Sequence, residues 1–228
     1  MRRQLLALVA VGAVGLTAGC GFLLGLESLT YTASPVNVSD QALNQTDYRE
    51  TAVLTQNETI PVTAFGQTRT VKVTNHIAKY RQGSDAGGMT ADGPALFIAL
   101  ASPEIEVLGN TINPIGDVPN DEIVERTDTL YENVSVGEEQ GTRTVEALGA
   151  SRQIQTWEAT AVMRGVRVPV YVDATRFKHG SDYLVAIAIY PRHEVGERAM
   201  VDRLVAGLQH SDDDGDIAGA TEQDRRLN

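Results

Sequence analysis

The chain has 228 residues, enough for one domain with short appendages but too few for two large domains. Its 19 Lys and Arg stand against 30 Asp and Glu, so the net charge is −11. This acidity argues against a nucleic-acid-binding protein, because phosphate binding needs a basic surface. The single cysteine excludes an internal disulfide framework, a Cys-rich zinc site and a two-thiol redox centre.

The amino terminus has the pattern of an export signal. Arg2 and Arg3 precede an uncharged run, Leu5–Leu26, that is rich in Ala, Gly and Val. A positive start followed by an apolar run is typical of export signals, and Arg-Arg-Gln-Leu-Leu resembles the core of the twin-arginine type. We therefore interpret Arg2 and Arg3 as the export signal. The sequence leaves open whether this pair selects the export route for folded proteins.

The only cysteine lies near the end of the apolar run. Small residues precede Cys20, as in a lipoprotein box, so we expect residues 1–19 to be a signal peptide and Cys20 to carry a lipid. Residues 20–30 would then link the anchor to the domain. One alternative is an uncleaved anchor, because the 22 residues of Leu5–Leu26, at roughly 1.5 Å each, span the roughly 30 Å of bilayer hydrocarbon. The other alternative is simple secretion without an anchor. Either anchor makes membrane lipid the partner and directs the rest of the chain outward.

The acidic, arginine-rich composition is typical of proteins from salt-loving archaea. The only lysines are Lys72, Lys79 and Lys178, and loss of residues 1–19 would remove two arginines and no acid, which changes the net charge from −11 to −13. In concentrated salt the Debye length falls to about 3 Å, so the repulsion between carboxylates is screened. We therefore expect a halophilic protein whose fold loosens at low salt; the alternative is an ordinary acidic surface protein from a GC-rich organism.

Four Asn-x-Ser/Thr sequons fit an outer-surface location. They lie at Asn37, Asn44, Asn57 and Asn133. Each can accept an N-linked glycan only in an exported chain, so the sequons and the leader predict the same side of the membrane.

The first elements of the exported chain are a short strand, a helix and a hairpin. Leu29–Thr32 alternates as a strand does, and Ser39 is placed to cap a helix that runs to about Arg49. Thr59–Phe65 and Arg69–Asn75 flank a predicted tight turn. Alternating apolar residues in the second arm predict an antiparallel sheet with one buried face.

The middle of the chain predicts a loop, a buried strand and a second helix. Gly83–Gly93 is rich in Gly, Ser and Asp and is expected to be a flexible loop. Ala95–Ala101 is almost wholly apolar, so we predict a central strand. Asn120 can cap a helix over Asp121–Val134, whose apolar residues recur at a spacing of three or four.

The last part of the domain predicts a three-strand meander and a third helix. The strands are Arg152–Met163, Val166–Phe177 and Tyr183–Tyr190, of which the third is apolar on both faces and should be central. The final helix is predicted from about Val195 to Leu208.

Strands that do not alternate one for one with helices disfavour a doubly wound parallel sheet. We therefore predict a single α+β domain over residues 31–210, with an antiparallel sheet and three helices packed against it. Residues 211–228 lose the apolar period and include Asp-Asp-Asp-Gly-Asp, which predicts an acidic disordered tail.

Catalytic motifs are missing from the sequence. It contains neither a Gly-x-Ser-x-Gly elbow nor a phosphate-binding Gly-x-x-x-x-Gly-Lys loop. His193–Glu197 lacks the second histidine of a zinc helix, and Asp212–Asp216 lacks the bidentate carboxylate that a calcium loop needs at its last position. His76 and His179 are interpreted as exposed polar residues. We therefore assign no catalytic residue, no metal site and no cofactor.

The segment Ser-Pro-Val-Asn-Val-Ser-Asp-Gln-Ala-Leu at residues 34–43, taken with the twin arginine, the box at Cys20 and the acidic body, resembles an uncharacterised family of haloarchaeal lipoproteins. The resemblance extends over Tyr31–His210. Because that family has no assigned activity, the resemblance implies a location rather than a chemistry, and it provides no catalytic residue.

Three functional hypotheses follow. The first is a non-enzymatic, membrane-anchored module that binds a surface protein or a solute, or shapes the envelope. The second is an extracellular hydrolase whose acid pair the sequence does not reveal; a histidine beside a serine and an aspartate would equally favour it. The third is a solute-binding component of a transporter, for which the domain is small. An exposed pair of Trp157 and Tyr171 would favour sugar binding.

Overall fold

The computed structural model describes residues 29–64, 67–84, 91–107, 110–112, 115, 132–163, 165–193 and 195–211. Strands dominate this part of the chain. The strands are β1 (Leu29–Thr32), β2 (Val36–Val38), β3 (Tyr48–Ala64), β4 (Gln67–Ser84), β5 (Ala91–Pro103), β6 (Ile105–Val107), β7 (Asn110–Ile112), β8 (Glu132–Ala147), β9 (Ala150–Met163), β10 (Val166–His179), β11 (Asp182–Pro191) and β12 (Leu208–His210). The helices are α1 (Asp40–Thr46) and α2 (Glu197–Ala206).

One eight-stranded sheet forms the body of the domain. Its strand order is β1-β4-β5-β11-β10-β9-β8, and β3 pairs with the other side of β4. Every pair is antiparallel except β1 with β4, in which Leu29 lies opposite Val71 and Thr32 opposite Thr74. The pairing between β5 and β4 ends at His76. Strand β1 therefore pairs with the part of β4 that precedes His76, on the same side as β5.

The predicted α+β class with three helices is wrong. The described residues form a β-rich fold with two short helices. The first helix ends at Thr46 rather than near Arg49, because Asp47 adopts a left-handed conformation with φ of 55° and the next residue begins β3. The third predicted helix is shorter than expected and extends over Glu197–Ala206.

The second predicted helix lies largely outside the described residues. Its last three positions, 132–134, belong to the start of β8 instead. Period-two patterning is hard to see in β8, because three register shifts interrupt its pairing with β9 and each bulge moves the following side chains to the other face.

Several strand predictions are confirmed. Leu29–Thr32 is β1, and the meander is β9, β10 and β11. Ala95–Ala101 lies within β5, which pairs with both β4 and β11 and so occupies the middle of the sheet. The hairpin is also confirmed, but its arms of 17 and 18 residues are far longer than predicted and extend into the expected loop.

The two helices cover one face of the sheet, which we call the helical face. Alanines line its centre: Ala78, Ala99 and Ala186 lie side by side on adjacent strands and are almost fully buried. Small side chains let other elements approach closely, and the backbone N–H of Val38 donates to the hydroxyl of Tyr80 at 2.9 Å. This bond ties β2 to the centre of the helical face.

The helices also contact each other closely at Gly207. A Cβ added there would lie 2.4 Å from the Cβ of Ala42 and 3.0 Å from the hydroxyl of Ser39. Ser39 in turn caps α1 by accepting from the N–H of Ala42 at 3.3 Å, as predicted. Glycine therefore sets the distance between the two helices.

The opposite face of the sheet is apolar as well. Its buried cluster includes Trp157, Val172 and Ile187. Ile115 packs against it, and the guanidinium of Arg176 donates to the carbonyl of Ile115 at 2.8 Å. Burial on both faces explains the nearly continuous apolar sequence of the central strands.

Among the described residues, no helix has both the length and the apolarity needed to cross a membrane.

Candidate functional site

A buried network of polar side chains crosses the helical face. Asp173 on β10 is 1% exposed and accepts three hydrogen bonds. Its Oδ2 accepts from the guanidinium of Arg143 at 2.7 Å and from the hydroxyl of Tyr190 at 2.9 Å. Its Oδ1 accepts from the hydroxyl of Thr156 at 2.6 Å. We call Arg143, Thr156, Asp173, Tyr190 and Asp202 the Asp173 cluster. A carboxylate with both oxygens occupied in this way is suited to holding strands together rather than to accepting a substrate proton.

Arg143 connects this cluster to α2. Its Nε donates to Asp202 at 2.7 Å, and its NH1 donates to Thr156 at 2.8 Å. Burial alone would lower the pKa of Arg143, but the hydrogen bonds and charges of Asp173 and Asp202 outweigh burial and raise it. The arginine therefore stays charged and joins strand and helix through two carboxylates.

Tyr190 is held in its neutral form. Burial is the main cause that raises the pKa of Tyr190, and the negative charge of Asp173 adds to it. A neutral phenol can keep donating its hydrogen bond to Asp173, so the cluster keeps its geometry well above neutral pH.

A second polar group lies where the described chain ends. The side chains of Asp182 and His210 are each 1% exposed and meet with 3.0 Å between Oδ2 and Nε2. The backbone N–H of Ser34 donates to the same Oδ2 at 2.7 Å. On the other side of the His210 ring, Nδ1 lies 3.0 Å from Nδ1 of His179. We call Asp182, His210 and His179 the His-Asp chain.

The hydrogen bonds of the His-Asp chain determine where the protons lie. If Asp182 is ionised, Nε2 of His210 must carry a hydrogen to donate to it. In neutral His210 the Nδ1 then accepts, so His179 must donate from its own Nδ1. The geometry thus selects one tautomer for each ring and joins both to a buried carboxylate.

The His-Asp chain also brings together distant parts of the sequence. His210 ends β12, Asp182 begins β11 and Ser34 follows β1. Oδ1 of Asp182 is buried and has no hydrogen-bond partner among the described residues, so one side of this carboxylate is suited to an ordered water. The His-Asp chain therefore connects the segment after β1 and the end of β12 to the start of β11 by hydrogen bonds.

The candidate residues from the sequence fall in different places. Cys20, Arg2 and Arg3 lie outside the described residues. Asn37, Asn44 and Asn57 are exposed, and the side chain of Asn133 is not described. His179, interpreted as an exposed polar residue, is instead half-buried and takes part in the His-Asp chain.

Glu197 and the two aromatic residues have structural positions. Glu197 is 1% exposed and accepts from the hydroxyl of Tyr48 and from Gln82, so it anchors the start of α2. Trp157 pairs with Val172, the residue next to Tyr171, and therefore lies on the opposite face from Tyr171. The two aromatic rings cannot form one sugar-stacking pair. Within the described ranges, no group of three His, Cys, Asp or Glu residues is arranged to hold a metal ion.

The sequence contains a signal for Asp173 but none for the other residues of these two clusters. Asp173 interrupts an apolar strand, and a lone acid in such a strand signals a buried partner. Its partner Arg143 lies in a polar strand and gives no such signal. His210 and Asp182 are 28 residues apart, and only the sheet topology brings them together.

The comparisons with known proteins identify a family for the chain but no activity. No curated protein is significantly similar to the chain. A family model for a domain of unknown function, DUF6517, matches residues 35–209. The match includes the whole Asp173 cluster and, from the His-Asp chain, Asp182 and His179. The expected membership of an uncharacterised family is confirmed: the chain belongs to the DUF6517 family of domains of unknown function.

Proposed function

We propose that the protein is a membrane-anchored, extracytoplasmic lipoprotein whose domain acts as a non-enzymatic binding or envelope module in a halophilic archaeon. The observation that carries the proposal is the spacing between the anchor and the fold. Strand β1 begins at Leu29, nine residues after Cys20. At no more than about 3.6 Å per residue, this linker reaches roughly 32 Å, so a lipid on Cys20 would keep the domain at the membrane surface.

The internal chemistry of the domain supports a non-enzymatic role. Both oxygens of Asp173 are occupied by partners from three strands. Glu197 likewise receives two side-chain donors at the start of α2. Buried carboxylates used in this way stabilise a particular arrangement of strands and helices.

An extracellular hydrolase is the second candidate, and the pairing of Asp182 with His210 is the observation that favours it. In a hydrolytic triad the histidine uses its second nitrogen to activate a serine. Here that nitrogen faces His179, and the His210 side chain is 1% exposed. The arrangement resembles the first half of a triad, with a second imidazole in place of the nucleophile.

The anchor can be tested by intact mass and membrane fractionation of the native protein. We expect a chain that begins at Cys20, carries lipid mass and is found in the membrane fraction. Cys20→Ser should lose the lipid mass. Thr17→Leu is the matched control, because it also changes one residue of the predicted lipoprotein box but leaves the Cys20 thiol in place, and it should preserve lipidation.

The alternatives give different results in the same experiment. A full-length chain that stays in the membrane in both wild type and Cys20→Ser would support the uncleaved anchor, Leu5–Leu26. A full-length, unmodified chain in the cytosol would contradict export altogether. Hydrolase activity on ester or glycoside substrates that is lost in His210→Gln would favour the second candidate.

The halophilic part of the proposal rests on charge. With a net charge of −13, the mature chain has strong repulsion between its carboxylates at 0.1 M salt, where the Debye length is about 10 Å. At 1 M salt the Debye length is about 3 Å and this repulsion is much weaker. We expect the melting temperature of the domain to rise between 0.2 M and 2 M KCl. A melting temperature that does not depend on salt would contradict this proposal.

A further inference from the structure

Strand β3 forms an outer edge of the sheet. It has 17 residues, and its only strand partner among the described residues is β4. A long edge strand offers unpaired backbone groups to other chains, and proteins usually protect such edges. Asn57 lies near the middle of β3, is exposed and begins an Asn-Glu-Thr sequon.

The contacts of Asn57 orient its amide for modification. The hydroxyl of Thr74 on β4 donates to Oδ1 of Asn57 at 2.9 Å. Because the oxygen and nitrogen of an amide diverge from one carbon, Nδ2 is directed away from the Thr74 hydroxyl. Thr59 is two residues further along the strand, so it lies on the same face as Asn57, and it is also exposed. The acceptor amide and the sequon hydroxyl are therefore accessible together.

The sequon at Asn44 has the opposite geometry. It lies in α1, where residues two apart do not share a face. Its third residue, Thr46, is fully buried and donates its hydroxyl to the carbonyl of Ala42 at 2.8 Å. A glycan transferase that meets the folded domain cannot reach this hydroxyl.

The sequon at Asn37 is intermediate. The Nδ2 of Asn37 donates to Gln209 on the neighbouring strand at 3.1 Å. Its third residue, Ser39, uses its hydroxyl to cap α1. Both groups that the reaction needs are therefore engaged in the fold.

We infer that Asn57 is the preferred N-glycosylation site among Asn37, Asn44 and Asn57, the three sequon asparagines whose side chains the structure describes; this rests on the proposed export. In the reaction, Nδ2 of Asn57 bonds to the anomeric carbon of a lipid-linked glycan, the phosphate-bearing lipid leaves and the amide loses one proton, without oxidation or reduction. The Thr74 hydrogen bond to Oδ1 is compatible with the product. The attached glycan covers the edge of β3 and hinders pairing with other chains.

Peptide mass spectrometry on the full chain from its own cell tests the inference. Trypsin cleaves after Arg49 and Arg69, so the peptide 50–69 contains Asn57 and no other sequon. Cleavage at Asp40 separates Asn37 from Asn44. We expect a glycan on most copies of peptide 50–69 and none on the peptide that contains Asn44.

Two substitutions at Thr59 provide the control. Thr59→Val removes the sequon hydroxyl and should abolish the glycan, whereas Thr59→Ser keeps the hydroxyl and should retain it. Asn44→Gln should leave the glycan mass unchanged. Retention of the glycan on peptide 50–69 in Thr59→Val would contradict the assignment.

The remaining outcomes separate this inference from the proposed function. A lipid-modified protein with an unmodified peptide 50–69 would overturn the inference and leave the anchor intact. Equal occupancy at Asn44 and Asn57 would overturn the preference that the fold predicts. An unprocessed chain in the cytosol would overturn both.

Discussion

Arg143 and Asp173 form a 2.7 Å ion pair although their strands, β8 and β10, are not neighbours. The side chain of Thr156 on the intervening strand bridges them, since it accepts from Arg143 and donates to Asp173. Asp202 extends the same network to α2. One arginine thus holds three strands and a helix in a fixed arrangement.

Replacing the central carboxylate should destabilise the domain strongly. Asp173→Asn keeps the shape of the side chain but leaves Arg143 charged without its buried partner, and we expect a loss of about 3 kcal/mol in the free energy of unfolding. Chemical denaturation at constant salt measures the loss. Glu139→Gln, an exposed acid on β8, is the control and should change stability by less than about 0.5 kcal/mol. Equal, small effects at both positions would contradict the role of the Asp173 cluster.

The His-Asp chain predicts the tautomer of each histidine. With Asp182 ionised and both imidazoles neutral, we expect hydrogen on Nε2 of His210 and on Nδ1 of His179, because for two neutral rings only that assignment satisfies both 3.0 Å contacts. Nitrogen NMR of the imidazole rings distinguishes the two tautomers. In Asp182→Ala the preference at His210 should weaken. Finding hydrogen on Nδ1 of His210 in the wild type would contradict the proposed direction of the hydrogen bonds.

A methyl group at position 207 should separate the two helices. Gly207→Ala places a Cβ 2.4 Å from that of Ala42, and overpacking of this kind costs about 1 to 3 kcal/mol. The backbone φ of −88° is acceptable for alanine, so the loss would come from packing. Adding Ala42→Gly removes the other methyl and should restore part of the stability. Denaturant unfolding of the two variants measures this rescue, and additive losses would contradict the contact.

Tyr190 makes the fold sensitive to alkaline pH. Burial, followed by the charge of Asp173, raises the pKa of Tyr190 in the folded protein, whereas an unfolded tyrosine ionises near pH 10. The folded state therefore keeps a proton that the unfolded state loses. This stabilisation is complete below about pH 10 and disappears as pH rises through the folded pKa.

The test compares the wild type with Tyr190→Phe from pH 8 to pH 11.5. The free energy of unfolding of the wild type should fall in the upper part of this range, and the fall should be smaller in Tyr190→Phe. Some loss will persist in the variant, since burial also raises the pKa of Tyr80. Identical pH profiles would show that Tyr190 does not contribute.

Local patterns predicted the elements whose signals lie within a few residues. Ser39 identified the start of α1, and the apolar run at Ala95–Ala101 identified a central strand. The class was wrong because the described residues contain only two short helices, and a weak local pattern in β8 does not reveal a strand that is held by pairing. Period-two alternation indicates which face a side chain occupies, but not which strand lies beside it.

The sequence by itself determined the acidic charge, the apolar run near the amino terminus with its single cysteine and the family to which the chain belongs. Only the tertiary structure decided that Asp173 meets Arg143, that Asp182 meets His210, and that Asn57 lies on an outer edge while Thr46 is buried. These relations depend on strand register and sheet order, which are set by packing between residues far apart in the chain. A local pattern cannot encode them, because the same alternation is compatible with many orders of strands.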